Sequence, residues 1–197
     1  PETSRSKMDR LCLLPQGIIP LSDERGLVIP ELVIRPEDRI ALTGPHGTGQ
    51  STLLSRIVRL LPPKLPVMYI PQEIHADEAR TALDELKQET EKNRGEILSG
   101  FSRLGSDPVL LLQSRLPSPG ELRKLLIARG IFLDPALVIM DEPTNHMDLT
   151  SIRLLEETLA GLDCALLLAS HDEAFLSALT SVEWAIEGPP YRLNVRL

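Results

Sequence analysis

The chain is organised around residues 137–149, which have the sequence LVIMDEPTNHMDL. The apolar run Leu137 to Met140 does not alternate with polar residues, which predicts a strand buried on both faces. Asp141 and Glu142 follow directly, and ligand sites in open α/β sheets lie at the carboxyl ends of the strands. Paired acids there suit a metal-bound phosphate, because one can hold Mg²⁺ and the next can polarise a water. Considered alone, the segment equally allows two acids that end a strand in a solvated loop.

Composition favours one α/β domain. The 197 residues are 42% hydrophobic but only 3% aromatic, so Leu, Ile, Val and Ala must build the core, as in helices packed on a parallel sheet. The net charge of −7 argues against a surface that coats nucleic acid. Arg5, Lys7 and Arg10 cluster near the start, and we interpret them as the end of a solvated linker.

Cysteine usage and hydropathy predict a cytoplasmic protein. Cys12 and Cys164 lack metal-ligand spacing and lie in apolar runs, which favours two reduced, buried thiols. The longest apolar run, around residues 165–169, is too short to span a bilayer, and the polar start does not resemble a signal peptide. We therefore expect no membrane insertion. Because the sequence opens without Met, a fragment of a longer protein is expected.

A glycine-rich turn follows a second predicted strand. Residues 39–43 are strand-like, residues 44–52 read GPHGTGQST, and a helix is predicted from Gln50 to about Leu61. A strand, glycine turn and helix in this order form the context of a phosphate-binding loop, where backbone N–H groups and the helix N-terminus face the phosphates. Ser51 is placed to ligate Mg²⁺ with its hydroxyl.

Gln50 stands where this loop pattern demands lysine. Losing a charge-assisted hydrogen bond costs roughly 1.5–3 kcal/mol, which corresponds to about one to two decades of affinity. Glutamine is still a neutral donor, so weakened rather than abolished nucleotide binding is predicted. On the loop alone, a decayed or purely structural glycine turn is an equal alternative.

Three further segments are candidates for the same site as the paired acids and the glycine-rich turn. Gln72 ends the predicted strand 67–71 and can contact both a metal ion and a water. Ser118 and Glu121 form a predicted capping box, which is compatible with anion binding at the same helix N-terminus. His171 follows the apolar strand 164–169 and either hydrogen-bonds a phosphate or is incidental.

The remaining sequence predicts further strands and helices around these motifs. Short strands at residues 11–14, 26–34 and 39–43 predict a meander at the N-terminal side. Residues 76–104 are strongly charged and helical, which predicts a small helical subdomain extending to about residue 134. A helix at 150–162 and a C-terminal hairpin complete the prediction.

Taken in order, these motifs resemble those of the nucleotide-binding domain of an ATP-binding cassette (ABC) ATPase, across nearly the whole domain. The matching segments are Gly44 to Thr52 for the Walker A loop, Gln72 for the Q-loop, 117–121 for the signature motif, Leu137 to Glu142 for Walker B, 147–149 for the D-loop and His171 for the switch histidine. The resemblance implies an α/β P-loop core with a parallel sheet and flanking helices, an N-terminal antiparallel β subdomain and a short helical subdomain at about 76–134.

Within this superfamily, residues 142–149 are similar to the form typical of subfamily F, whose soluble proteins act on ribosomes. The short span from Gln72 to Ser118 and Pro119 in place of a glycine point the same way. Subfamily F proteins carry two cassettes joined by a charged linker. The resemblance thus implies a linker remnant at 1–10, one cassette at 11–197, and ribosome contacts through parts outside this chain.

The resemblance also implies roles for individual residues. ATP and Mg²⁺ would lie between two cassettes arranged head to tail, in one tandem protein or a homodimer, with Glu142, His171 and Gln72 catalytic and Ser51, Gln72 and Asp141 at the metal. The nucleotide-binding residues would be Gly44, Pro45, His46, Gly47, Thr48, Gly49, Gln50, Ser51, Thr52, Ser118, Gly120 and Asp148. A lone cassette supplies half of each site, so little ATPase activity is expected from this chain by itself.

Departures from the family pattern keep two other functions open. Gln50 implies weak hydrolysis, Pro117 replaces the leading Leu of the signature, and no aromatic residue precedes Tyr69 to stack on adenine. Ile18 or Ile19 would offer only an aliphatic surface, which would permit GTP. The alternatives are the nucleotide-binding subunit of a transporter and a non-hydrolysing regulatory domain.

Overall fold

The computed structural model describes residues 9–21, 25–114 and 117–197, with ten strands and seven helices in these ranges. The strands are β1 Cys12–Leu14, β2 Gly17–Pro20, β3 Gly26–Ile29, β4 Leu32–Ile34, β5 Arg39–Thr43, β6 Val67–Ile70, β7 Leu137–Asp141, β8 Ala165–Ala169, β9 Val182–Glu187 and β10 Arg192–Arg196. The helices are α1 Gln50–Leu60, α2 Ala76–Gln88, α3 Glu91–Arg103, α4 Pro108–Gln113, α5 Pro119–Phe132, α6 Leu149–Ala160 and α7 Glu173–Leu179. Arg5 and Lys7 of the predicted linker lie outside the described residues.

One mixed sheet positions the predicted site. Its order is β2-β3-β10-β9-β5-β8-β7-β6, and β9, β5, β8, β7 and β6 run parallel. The carboxyl ends of β5, β6, β7 and β8 therefore meet at one edge, where the phosphate loop, Gln72, the paired acids and His171 follow them. The predicted α/β class and the buried strand at 137–140 are confirmed.

The N-terminal strands do not form the predicted meander, because β5 pairs in parallel with β8 and β9 in the middle of the main sheet. Residues 26–34 form two strands, β3 and β4, rather than one, and β4 pairs with β1 in a separate two-stranded sheet. Pro30 follows β3, and a proline cannot donate to a strand ladder. β2, which the sequence did not predict, pairs antiparallel with β3, and β3 joins the main sheet beside β10.

The core has two halves, one on each face of the main sheet. Leu137 and Ile139 of β7 pack in the cluster that includes Leu53, Leu54 and Ile57 of α1. Val138 and Met140, which point to the opposite face, pack with apolar residues of α5 and α6. Every residue of β7 and β8 is buried. Helices on both faces explain why these strands are continuous apolar runs.

Helices α2 to α5 lie between β6 and β7 in the sequence. The predicted helical stretch 76–104 consists of α2 and α3, separated where Thr90 caps α3 by accepting a hydrogen bond from the Asn93 amide at 3.3 Å. The predicted capping box of Ser118 and Glu121 is confirmed, and the helix that it starts, α5, runs from Pro119 to Phe132. No helix in the described ranges has both the length and the apolar character that crossing a membrane requires.

Candidate nucleotide-binding site

A cavity of about 190 Å³ opens at the carboxyl edge of the sheet. It brings together residues from four predicted motifs that are far apart in the sequence. The residues that line it are Leu21, Arg25, His46, Gly47, Gly49, Gln50, Ser51, Thr52, Gln72, Asp141, Glu142 and His171.

The phosphate loop has the backbone that the sequence predicts. Gly47 and Gly49 have φ angles of 73° and 103°, which other residues adopt only with strain. Gly49 is the N-cap of α1, so no side-chain oxygen of that residue covers the first amides of the helix. Inside the turn, the buried Thr48 hydroxyl donates to the Pro45 carbonyl at 2.8 Å. This backbone is compatible with anion binding.

The Gln50 side chain turns back onto the backbone. Its Nε2 atom donates to the carbonyls of Gly44 and Leu42, at 3.3 and 3.5 Å. The neutral donor that the sequence offered to a phosphate is therefore engaged with the end of β5. The loop keeps its geometry but lacks the charge of a lysine.

Asp141, at the end of β7, and Ser51, at the start of α1, form an oxygen pair in the cavity. Asp141 is only 3% exposed, and burial raises its carboxyl pKa, while a hydrogen bond from Ser51 and the charge of Arg123 oppose the rise. A hydroxyl beside a carboxylate suits Mg²⁺, which is held by one or two protein oxygens together with substrate phosphates and waters. In the described ranges there is no cluster of three His, Cys, Asp or Glu side chains able to hold a metal alone. The donors present thus fit Mg²⁺ shared with a nucleotide.

Glu142 and His171 face each other beside this pair. His171 Nε2 lies 3.5 Å from Glu142 Oε1, and the His46 ring lies 4.0 Å from the His171 ring. Burial raises the pKa of the Glu142 carboxyl, and the charge of His171 opposes that rise. Glu142 also has a φ of 50°, an unusual conformation for a non-glycine residue and one that often occurs at functional sites. His171, predicted to be either functional or incidental, lies in the cavity beside Glu142.

Arg123 is a positioning group that the sequence did not reveal. It is 2% exposed, and its two terminal nitrogens donate to the carbonyls of Gln72 at 2.6 Å and Glu142 at 3.3 Å. Its Nε is buried and has no hydrogen-bond partner among the described residues. Burial lowers the pKa of this guanidinium, whereas the charges of Asp141 and Glu142 raise it. Only the tertiary fold shows that this side chain of α5 reaches the ends of both β6 and β7.

Three predicted residues outside the phosphate loop do not line this cavity in the described part of the chain: Ser118, Gly120 and Asp148. Ser118 caps α5 in the predicted capping box with Glu121. A Cβ added to Gly120 would lie 2.6 Å from the carbonyl oxygen of His146, so the signature glycine packs against the loop after β7. Asp148 caps α6, and its hydrogen bonds from Ser151 lower its carboxyl pKa.

The edge of the cavity nearest the N-terminal strands also differs from expectation. Ile19 is buried in the core, so of the two candidate base-stacking residues only Ile18, which is 69% exposed, offers a surface. Arg25, for which no role was predicted from the sequence, lines the cavity.

The family description "ABC transporter" matches residues 30–145, more than half of the chain. With the phosphate loop, the paired acids and the sheet order described above, the chain belongs to this family and is an ATP-binding cassette ATPase domain. Membership implies ATP and Mg²⁺ as ligands and gives no support for GTP.

Two relatives and one solved structure illustrate the range of this family. The zinc import ATP-binding protein ZnuC of Pasteurella multocida is 32% identical over 165 residues, which cover 76% of this chain and 63% of ZnuC. The ATP-binding protein Uup of Caulobacter vibrioides is 33% identical over 177 residues, covering 85% of this chain and 28% of Uup. A structure of the RNase-L Inhibitor superposes with a TM-score of 0.70 at 21% identity, covering 96% of this chain and 40% of that one, and supports the fold. This chain thus spans less than two thirds of each of these proteins.

Proposed function

We propose that this chain binds ATP with Mg²⁺ in the cavity and, when paired with a second cassette, hydrolyses it. The observation that carries the proposal is the placement of the Ser51–Asp141 oxygen pair beside the Glu142–His171 pair, in the same cavity as the glycine loop. These groups come from the start of α1, the end of β7 and the segment after β8, and the cavity joins a phosphate cradle, metal-binding oxygens and an acid that can orient water.

Each residue then has a defined task. The backbone amides of 47–49 and the N-terminus of α1 receive the phosphates. Ser51, Asp141 and the Gln72 side chain would hold Mg²⁺, which would neutralise phosphate charge. Glu142 accepts a hydrogen bond from the attacking water and orients it, while His171 positions Glu142 and donates to the transferred phosphoryl group.

Ser118, Gly120 and Asp148 serve the site of the partner cassette in this proposal. In the described part of the chain none of the three lines the cavity, which is compatible with a role across a head-to-tail interface, in which one chain closes over the nucleotide of the other. At the N-terminus of α5, Pro119 has no N–H and the Ser118 and Glu121 amides are engaged in the capping box, so the Gly120 amide is the one we assign to the γ-phosphate of the partner site. A lone chain should therefore turn over ATP slowly, and its rate per chain should rise with protein concentration.

Mg²⁺-dependent nucleotide binding tests the proposal. Isothermal titration with ATP, with and without Mg²⁺, should show tighter binding when Mg²⁺ is present. Asp141→Asn should remove most of that difference because it deletes the charged metal ligand. The matched control is Asp163→Asn, which changes an exposed aspartate outside the cavity and should leave binding unchanged. Nucleotide binding that is insensitive to both Mg²⁺ and Asp141→Asn would contradict the assigned site.

At the level of the parent protein, we propose a soluble tandem cassette protein of subfamily F that acts on the ribosome from the cytoplasm. The sequence form of residues 142–149 supports this, as does the match to Uup, most of which lies outside the matched segment and leaves room for a second cassette. In this proposal residues 1–10 end the linker, 11–197 form one cassette, and 76–134 form its helical subdomain.

A transporter subunit is the second candidate, and the similarity to ZnuC favours it. ZnuC is only moderately longer than the matched segment, as expected for a single cassette that docks on a separate partner. The parent gene separates the candidates: a second cassette indicates subfamily F, and neighbouring membrane segments indicate transport. Co-sedimentation of the full-length parent with ribosomes in the presence of ATP should succeed only in the first case.

A further inference from the structure

The cavity has an uneven distribution of charge. Two carboxylates, Asp141 and Glu142, face a phosphate loop whose lysine position is occupied by Gln50. A nucleotide brings several more negative charges into the same space. Among the described residues that line the cavity, Arg25 is the one side chain with a permanent positive charge.

Arg25 lies directly at the phosphate loop. Its Nη2 atom is 3.4 Å from the carbonyl oxygen of Gly47, the residue at the middle of the glycine turn. It immediately precedes β3, so an N-terminal segment distant from the loop in the sequence delivers a cation to it.

Tyr191 anchors this guanidinium. Arg25 Nη1 donates to the Tyr191 hydroxyl at 2.7 Å, and the guanidinium carbon lies 5.0 Å from the centre of the Tyr191 ring. The Tyr191 carbonyl in turn accepts a hydrogen bond from the Val28 amide at 3.0 Å, which ties the turn before β10 to β3. The arginine is thus held by a phenol and a ring face instead of extending freely into solvent.

We propose that Arg25 supplies to the bound nucleotide's phosphates the positive charge that the loop lacks at Gln50. The inference rests on the proposed function, because it assigns a further residue to the same nucleotide site. A guanidinium suits the task, since its planar array of donors matches phosphate oxygens. Its proximity to Gly47 favours contact with phosphate over contact with the base.

A double-mutant cycle tests this assignment. The dissociation constant for ATP with Mg²⁺ is measured for the chain, for Arg25→Gln, for Gln50→Lys and for the double variant. In the chain with Gln50, Arg25→Gln should weaken binding about five- to tenfold, as expected for a partly screened charged hydrogen bond. In the Gln50→Lys background the loss should shrink to about twofold or less, because the restored lysine makes the second cation redundant.

Salt and two further variants sharpen the test. Raising the ionic strength should weaken ATP binding less in Arg25→Gln than in the unaltered chain. Tyr191→Phe removes only the hydroxyl that holds Arg25 and should weaken binding by a smaller factor. Arg192→Gln makes the same charge change at an exposed site on β10, outside the cavity, and should leave binding unchanged.

The possible results separate this inference from the function on which it rests. An unaltered affinity in Arg25→Gln, or an equal loss in the unaltered and Gln50→Lys backgrounds, would overturn the role of Arg25 while leaving the nucleotide site intact. If neither the chain nor Gln50→Lys binds nucleotide, the proposed function fails and this inference fails with it.

Discussion

The two parts of the cavity, the paired acids and the phosphate loop, differ in how closely they match the family pattern. The acid wall, Asp141 and Glu142, has both carboxylates in place, both nearly buried and both near a cation or imidazole. The phosphate loop has the backbone of a nucleotide cradle, but its key side chain, Gln50, is folded onto the carbonyls of Gly44 and Leu42.

This difference shows that the backbone and the charge of a phosphate loop are separable properties. Glycines with positive φ and the buried Thr48 hydroxyl support the loop geometry, and the Gln50 side chain adds only neutral hydrogen bonds to it. Charge is a side-chain property and can be lost, or supplied from elsewhere, without disturbing that geometry. The acid wall lacks this freedom, because its carboxylates are buried and depend on Arg123.

The largest expected effect is a loss of stability when Arg123, the cation beside the acid wall, is removed. Arg123→Ala removes a buried cation that holds the Gln72 and Glu142 carbonyls and leaves two buried carboxylates without it. Loss of one partner from such a set costs about 3–5 kcal/mol. Urea unfolding should show this loss in the free energy of unfolding. Arg153→Ala, at an exposed position of α6, is the control and should change it by less than about 0.5 kcal/mol.

Restoring the loop should have the next largest effect. Gln50→Lys should tighten ATP binding by about one to two decades, because it returns a charge-assisted hydrogen bond to the phosphates. Titration calorimetry measures the change, and Gln88→Lys at the exposed end of α2 gives the same charge change away from the cavity. If the Lys variant binds no more tightly, Gln50 is not what weakens the site. If it binds tightly and turns over ATP while the unaltered chain only binds, the non-hydrolysing role is favoured.

A smaller effect on stability is expected at the contact between α5 and the loop after β7. Gly120→Ala places a Cβ 2.6 Å from the His146 carbonyl and should destabilise the chain by about 1–3 kcal/mol. Gly95→Ala, within α3, meets no atom within 4 Å and should instead stabilise by about 0.5–1 kcal/mol, because alanine favours the helix. Thermal unfolding of the two variants should therefore shift in opposite directions. Equal shifts would mean that α5 and this loop can move apart freely.

The smallest expected effect is on pH dependence. Burial raises the folded-state pKa of Asp141 and Glu142, so their ionised forms are disfavoured in the folded chain. Their contribution should destabilise the fold above the folded-state pKa values and diminish as pH falls through them. Asp141→Asn should thus raise the free energy of unfolding at pH 8, and the gain should shrink as the pH falls through the raised folded-state pKa towards the ordinary aspartate value. A gain that grows on acidification would mean that Asp141 is stabilised as a carboxylate.

Much of the fold followed from local pattern. Apolar runs without alternation identified β7 and β8, and the glycine turn before a helix located the phosphate loop. The split of residues 26–34 into β3 and β4 was missed, because both halves have strand propensity and only pairing shows that they join different sheets. Most of the residues that line the cavity were named in advance, but Leu21 and Arg25 were not, and neither was Arg123. Neither arginine belongs to a motif, and each reaches the site through contacts distant in sequence.

The sequence by itself determined the strands β5, β6, β7 and β8, the glycine loop, the paired acids and the missing lysine, because each depends on residue types and short spacings. Tertiary structure alone decided how those groups are electrostatically supported. In the fold, the Gln50 side chain donates to the backbone and Arg123 is buried beside the acids. Arg25 contacts both the phosphate loop and the Tyr191 ring. The physical reason is that charge acts through space, so its partners are set by packing between segments that no local pattern connects.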